Sequence, residues 1–210
     1  MGKRMGLDAF LTVSLLLLMS YRLFGSAAHE WLGILFLGFF VWHHELNRHF
    51  FKNIFRGRYD AARVVRLLLM ILLGVAALVA ASSGVLLSRH AVPFLALHSG
   101  RAPVAHWHVA SAYACFVLAG IHAGLHGRAA LGGMRRKFSR TWPPIRFLGW
   151  SLSAYGVWAF WKRDVADYLL LRAHFAFFPG DNLPLFLVDY AAMFLLFACV
   201  GRGLSAALRR

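Results

Sequence analysis

Residues 67–88 read LLLMILLGVAALVAASSGVLLS, and residues 102–127 read APVAHWHVASAYACFVLAGIHAGLHG. Neither stretch holds an Asp, Glu, Lys or Arg. A helix needs about 20 apolar residues to cross the hydrocarbon core of a bilayer, so each stretch is long enough to span one. The rest of the chain shares this character. Of its 210 residues, 60% are hydrophobic and 15% charged, with a mean hydropathy of +0.61. A soluble domain is closer to about half apolar and about a quarter charged. The composition excludes a disordered chain and argues against an ordinary soluble enzyme. The fold expected is an all-α, polytopic membrane bundle of about six transmembrane helices, one integral-membrane domain over residues 1–210.

The six expected spans are 7–24, 29–46, 65–88, 103–126, 147–162 and 183–203. Their orientation follows from charge. Lys3, Arg4, the basic residues from Arg48 to Arg66, those from Arg128 to Arg146, and Arg202, Arg209 and Arg210 place 17 basic residues on one side, against 6 on the other. Basic loops are retained in the cytoplasm, so both termini are expected there, in a multi-pass protein of the cell inner (cytoplasmic) membrane. Trp31 and Trp107 then mark the outer interface, and Trp42 and Trp142 the inner one. The net charge of +15 is explained by this topology rather than by nucleic acid.

Residues 3–28 also have the outline of a cleavable signal peptide ending at Ser26-Ala27-Ala28. The orientation count favours a retained span. Val165–Phe178 is apolar but carries Asp167, Arg172 and His174, and is expected to lie along the outer interface. Cys115 and Cys199 sit in apolar runs and read as packing residues. No Cys-x-x-Cys-His is present, which excludes covalent c-type haem attachment.

Histidines carry the chemistry. His29 and His43 are 14 residues apart, and so are His108 and His122. Fourteen steps of about 100° return to within about 40° of the starting face and rise about 21 Å. Each helix thus shows one face with a histidine near each membrane surface. One span separates these two, so they run in the same direction. His29 should meet His108, and His43 should meet His122. Fifteen steps, to His44, give an angle nearly as good, and the choice between His43 and His44 stays open. Two facing imidazoles can clamp a flat macrocycle in a bundle core, and bis-histidine ligation favours electron transfer. Two b-type haems, with His29, His43, His108 and His122 on the iron, are the expected cofactors, in a core spanning about 27–127.

His126 lies one turn beyond His122, where it can orient a haem propionate, support a ligand, or simply pack. A metal ion on His122 and His126 with His43 or His44 is the rival use of these residues. Gly33, Gly38, Gly120 and Gly124 leave room for a macrocycle or for close helix packing. Arg22, Arg89, Arg101 and Arg48 are candidate propionate partners. Asp189, inside the last span, reads as a proton relay, a quinone contact or a hydrogen-bonded interfacial carboxylate. Glu30 and Glu45 read as ordinary interfacial charges. No Walker loop or Gly-x-Gly-x-x-Gly after a strand is visible.

The run His29-Glu30-Trp31-Leu32-Gly33, then His43-His44, then His108, Ser111, Tyr113, His122 and Gly124-Leu125-His126, resembles the flavinylation-associated cytochrome family, a ferric-reductase-like, cytochrome b type group. Tyr155-Gly156, Phe160-Trp161-Lys162-Arg163, Asp167-Tyr168-Leu169 and His174-Phe175-Ala176-Phe177-Phe178 resemble its C-terminal half. Gly127 stands where many members have an aromatic residue. The resemblance implies a membrane cytochrome that passes electrons outward to an extracytoplasmic FMN-carrying flavoprotein. It maps the haem ligands onto His29, His43 or His44, His108 and His122.

The function expected is therefore transmembrane electron transfer from a quinol pool or a cytoplasmic-side donor to an extracytoplasmic, flavinylated acceptor. This makes the chain an electron-transfer subunit rather than a self-contained enzyme. A quinone- or ferric-reductase-like enzyme subunit, a histidine-based metal-ion transporter or sensor, and a haemless scaffold are the alternatives.

Overall fold

The structure is a computed structural model that describes residues 2–21, 25–54, 56–173 and 182–208. Arg22 and the run His174–Phe178, singled out above, lie outside the described residues. Among the described residues the fold is all helical, without a strand. Helix α1 runs Gly2–Leu18, α2 Ser26–Leu46, α3 Arg48–Lys52, α4 Ala61–Leu87 and α5 Arg101–His126. After these come α6 (Arg128–Lys137), α7 (Trp142–Lys162), α8 (Val165–Leu169) and α9 (Leu183–Ala207). A 3-10 turn, Pro93–Leu95, lies between α4 and α5.

Helices α4, α5 and α9, of 27, 26 and 25 residues, are long and apolar enough to cross a membrane. The other three expected spans coincide with α1, α2 and α7, of 17, 21 and 21 residues, which fall short of that length or apolarity. In α2 the shortfall comes from Glu30, Glu45 and three histidines. Helix α7 begins earlier than expected: Pro143-Pro144 sits in its first turn, where a missing N–H costs nothing.

Local chemistry sets several helix ends. The Asp60 side chain accepts the Arg63 N–H at 2.7 Å to start α4. Asn182 does the same for α9 through Leu185 N at 2.9 Å. Gly100, at φ 67°, turns the chain into α5 in a conformation that disfavours other residues.

Helix α5 is central, with α4 on one side and α9 on the other, and α7 packs on α9. Glycines set how close these helices come. A Cβ at Gly124 would lie 2.0 Å from the Ala198 carbonyl oxygen, one at Gly201 2.0 Å from the Ile121 oxygen, and one at Gly156 2.5 Å from the Ala192 oxygen. Backbone touches backbone along these seams, as small residues allow between membrane helices. Gly120 belongs to the same seam, 2.7 Å from Phe197 Cβ. Gly120 and Gly124 therefore serve close packing and leave no room for a macrocycle.

Helix α2 is different. None of its residues is fully buried, and it leans chiefly on α1. Its inward reach is through Phe36, packed against the main core cluster, and Phe40, packed against the cluster of Ala76, Ala77 and Cys115. Gly38 has nothing within 4 Å of where a Cβ would stand. The outer surface of the bundle is apolar: Leu68, Ile71, Leu72, Val75 and Leu78 on α4, and Phe147, Leu148, Trp150 and Trp161 on α7, are exposed. Soluble monomers rarely show so continuous an apolar surface. Trp31 and Trp107 are both 58% exposed and Trp42 49%, so their rings lie on that surface.

Helix α8 departs from expectation. Val165 and Tyr168 are buried, and α8 packs on α5 and α7. The Tyr168 ring stacks on Tyr113 at 4.3 Å. The described start of this segment is tucked into the bundle rather than laid along an interface, because Tyr113 and Tyr190 offer it a buried aromatic partner.

Candidate functional site: two histidine clusters between α2 and α5

His29 and His108 face each other across the gap between α2 and α5. Their ring centroids are 6.2 Å apart and their planes 81° from parallel. His108 Nδ1 is 2.9 Å from the Ala80 carbonyl oxygen and 3.1 Å from Ser83 Oγ. A carbonyl only accepts, so Nδ1 carries the proton and the Nε2 lone pair stays available. The Ser83 hydroxyl donates to the Val79 carbonyl at 2.5 Å, which leaves its lone pairs for His108. Gly84 makes this approach possible: a Cβ there would stand 3.2 Å from His108 Cε1. His29 Nδ1 is buried without an aligned hydrogen-bond partner, with the Leu18 carbonyl beside the ring.

Glu30 holds this end in place. It accepts from Ser88 Oγ at 2.8 Å and from the backbone N–H groups of Arg89, His90 and Ala91 at 3.1, 2.7 and 3.0 Å. His90 Nδ1 adds a contact at 3.0 Å. Consecutive N–H groups form an anion-binding concavity, and Glu30 fills it, tying the start of α2 to the end of α4. Glu30 is thus a clamp next to His29 rather than a loose interfacial charge. Its partners lie about sixty residues away in sequence, and no local pattern reveals them.

At the other end, His122 and His126 stand near the end of α5, and His43 and His44 near the end of α2. The His122 and His126 rings are 4.7 Å apart. His122 Nδ1 and His43 Nδ1 are buried without an aligned hydrogen-bond partner. His43 Nδ1 lies 2.9 Å from Asp8 Oδ1, an ion-pair distance without hydrogen-bond alignment. His44 Nδ1 bonds the Phe40 carbonyl at 2.9 Å, which leaves its Nε2 lone pair available as in His108. The 14-residue spacing favours His43, whereas the fixed tautomer favours His44. Arg4 donates to the Leu46 carbonyl at 3.0 Å, so α1 secures the end of α2 much as Glu30 secures its start. His126 itself is exposed.

The start of α2 is beside the early part of α5, and the end of α2 beside its late part. The two helices therefore run the same way. His106 is half-buried. Among the described residues, no group of three or more His, Cys, Asp or Glu side chains converges as a metal-ion site. The ring pair seen across the gap is His29 with His108.

The candidate propionate partners fare unequally. Arg101 donates to the Leu97 and Leu87 carbonyls at 2.8 and 2.5 Å and closes the end of α4. Arg48 pairs with Glu45 at 2.8 Å on the surface. Arg89 meets Glu30 through its backbone and its side chain is exposed.

Asp189 is fully buried and accepts from Tyr155 at 2.5 Å, Lys162 at 2.8 Å and Arg163 at 2.8 and 2.6 Å. Lys162 and Arg163, counted above only as topological charges, are its ion-pair partners. They fasten α7 to α9. Cys115 and Cys199 are free thiols.

No protein-family model matches the chain, and comparison with curated proteins and with solved structures finds no match either.

Proposed function

We propose that the chain is a six-span membrane cytochrome that holds two b-type haems, one at each end of the α2–α5 gap. It conducts electrons from a quinol or cytoplasmic-side donor to an extracytoplasmic acceptor, which the family resemblance makes an FMN-carrying flavoprotein. The observation that carries this reading is the 6.2 Å separation of the His29 and His108 rings. Two imidazole–metal bonds of about 2 Å each, plus the distance from nitrogen to ring centre at both ends, add to roughly 6 Å.

The donor set fits the group. His108 has its proton fixed on Nδ1 by the Ala80 carbonyl, the usual support for a metal-bound histidine. His122, with His43 or His44, offers a second set. Bound haem supplies one-electron redox chemistry and the protein supplies ligation, spacing and a low dielectric. Phe36 and Phe40 fill the layer between the two levels. Glu30 and Arg4 hold α2 at the distance that ligation needs. The rival metal-ion reading requires three or four converging ligands, and no such group converges among the described residues.

The test is an optical spectrum and a pyridine haemochrome count on protein made with ample porphyrin. Two b haems per chain are expected, and His108→Ala should reduce the count to one. A folded, colourless chain, or a count unchanged in His108→Ala and His122→Ala, overturns the reading.

A further inference from the structure

A groove at the end of α2 borders His44 on one side and otherwise lies outside the histidine clusters. Its wider part, about 450 Å³, is lined by His49, Asn53, Arg56, Arg63 and Arg66. A narrower part of about 240 Å³ adjoins it through the shared walls Phe50, Ile54 and Leu67. That slot passes His44 and Phe51 and follows α4 along Met70, Ile71, Gly74 and Val75 to Leu78. One half is cationic and the other apolar.

Arg63 builds the cationic half. Its guanidinium donates to the carbonyls of Arg58, Asn53 and Ile54 at 3.2, 2.9 and 3.0 Å and lies over the Tyr59 ring. His49 Nδ1 meets the Asn53 amide at 3.1 Å. An amide NH₂ only donates, so Nδ1 accepts and Nε2 holds the proton. Every charged group facing this space is a donor, and no Asp or Glu lines either half. A neutral quinol asks for a proton acceptor as well as donors. Uncompensated guanidinium groups above an apolar slot ask instead for an anion with a hydrocarbon tail.

We propose that this groove holds one anionic phospholipid, with its phosphate at Arg56 and Arg66 and an acyl chain in the slot along α4. Basic pockets between membrane helices recognise anionic headgroups in this way. The proposal rests on the membrane part of the reading above and not on its haem part. The acyl chain lies against His44 and closes the open side of that histidine cluster to water.

The test is native mass spectrometry of the full chain, released from detergent after equilibration with phosphatidylglycerol or phosphatidylcholine of identical acyl chains. Wild type should retain one phosphatidylglycerol per chain, with a preference of about tenfold over phosphatidylcholine. R56Q/R66Q should abolish the preference. G74L separates a bound lipid from diffuse surface attraction. A Cβ at Gly74 meets no atom within 4 Å, so leucine enters the slot without disturbing the helix. Lipid retention should fall while thermal midpoint and haem content stay at wild type.

Equal retention of the two lipids overturns the proposal. So does phosphatidylglycerol retention unchanged in G74L, or a quinone analogue that displaces the lipid from wild type and from R56Q/R66Q alike. Haem read on the same samples distinguishes the two claims. Lost lipid selectivity with haem intact sinks only this one, and selective lipid without haem sinks only the cytochrome.

Discussion

On the side of α5 turned to α9, Gly120 and Gly124 bring backbones into contact, and the added Cβ at Gly124 would lie 2.0 Å from a carbonyl oxygen. On the side turned to α2, His29 and His108 reach toward each other with ring centroids 6.2 Å apart, while Gly38 lies on the exposed face of α2 and meets nothing within 4 Å. One face of a single helix is welded and the other is held open. A small residue therefore does not reveal its purpose. It lets a partner approach where a helix packs against it, as at Gly124, and stands open where none does, as at Gly38. The open face is kept at its distance by groups at its two ends, Glu30 and Arg4, rather than by packing along its length.

The welded side should be the more fragile. Asp189→Ala leaves the buried Arg163 without its carboxylate, and removing one partner of a buried pair costs about 3–5 kcal/mol. We expect the largest fall in thermal midpoint here, read in detergent by circular dichroism, and loss of folded protein at growth temperature. An unchanged midpoint would mean that the α7–α9 seam is held by its glycines alone.

Gly124→Ala against Gly38→Ala compares the welded seam with the exposed face of α2. At Gly124 the methyl must displace the Ala198 backbone, and overpacking of this kind costs about 1–3 kcal/mol. At Gly38 nothing resists, and removing a helical glycine should stabilise by roughly 0.5–1 kcal/mol. Opposite signs in the two midpoints are expected. The same sign for both would remove the distinction between the faces.

The long helices were legible because hydropathy is a local property: the runs at 67–88 and 102–127 mark α4 and α5 directly. The pairing of His29 with His108 was legible too, since helical period and alternating topology are fixed by counting. What the sequence withheld depends on partners distant along the chain. Asp189 reads ambiguously because its partners sit 26 to 34 residues away. Gly124 reads as cofactor space until Ala198 is seen against it. The one local hint overlooked was Ser82-Ser83-Gly84, a polar and small interruption in an apolar span. It falls at the level of His108 because it receives that ring.

Glu30→Gln sharpens the account of how the open face is held. The charge goes, but one carboxyl oxygen remains to accept from the Arg89–Ala91 backbone, so the loss is partial. A hydrogen bond to a charged group is worth about 1.5–3 kcal/mol, and the retained oxygen should limit the cost to roughly half of that. The midpoint should fall by less than in Gly124→Ala. Haem retention should fall selectively at the His29–His108 site, because α2 is released only at that end. Equal weakening at both sites would show that Glu30 acts on the whole bundle.

Ser83→Ala should have the smallest effect. The Ala80 carbonyl, at 2.9 Å, is the nearer acceptor for His108 Nδ1 and survives the change. The serine contributes one neutral contact at 3.1 Å, and such a bond is worth about 0.5–1.5 kcal/mol. Stability should drop by about that much or less, with haem stoichiometry unchanged. A displaced His108 ring would instead report itself in the reduced optical band of one haem. If Ser83→Ala behaves like His108→Ala, the serine rather than the backbone carbonyl fixes the tautomer, and the polar break in α4 becomes part of the site rather than a support behind it.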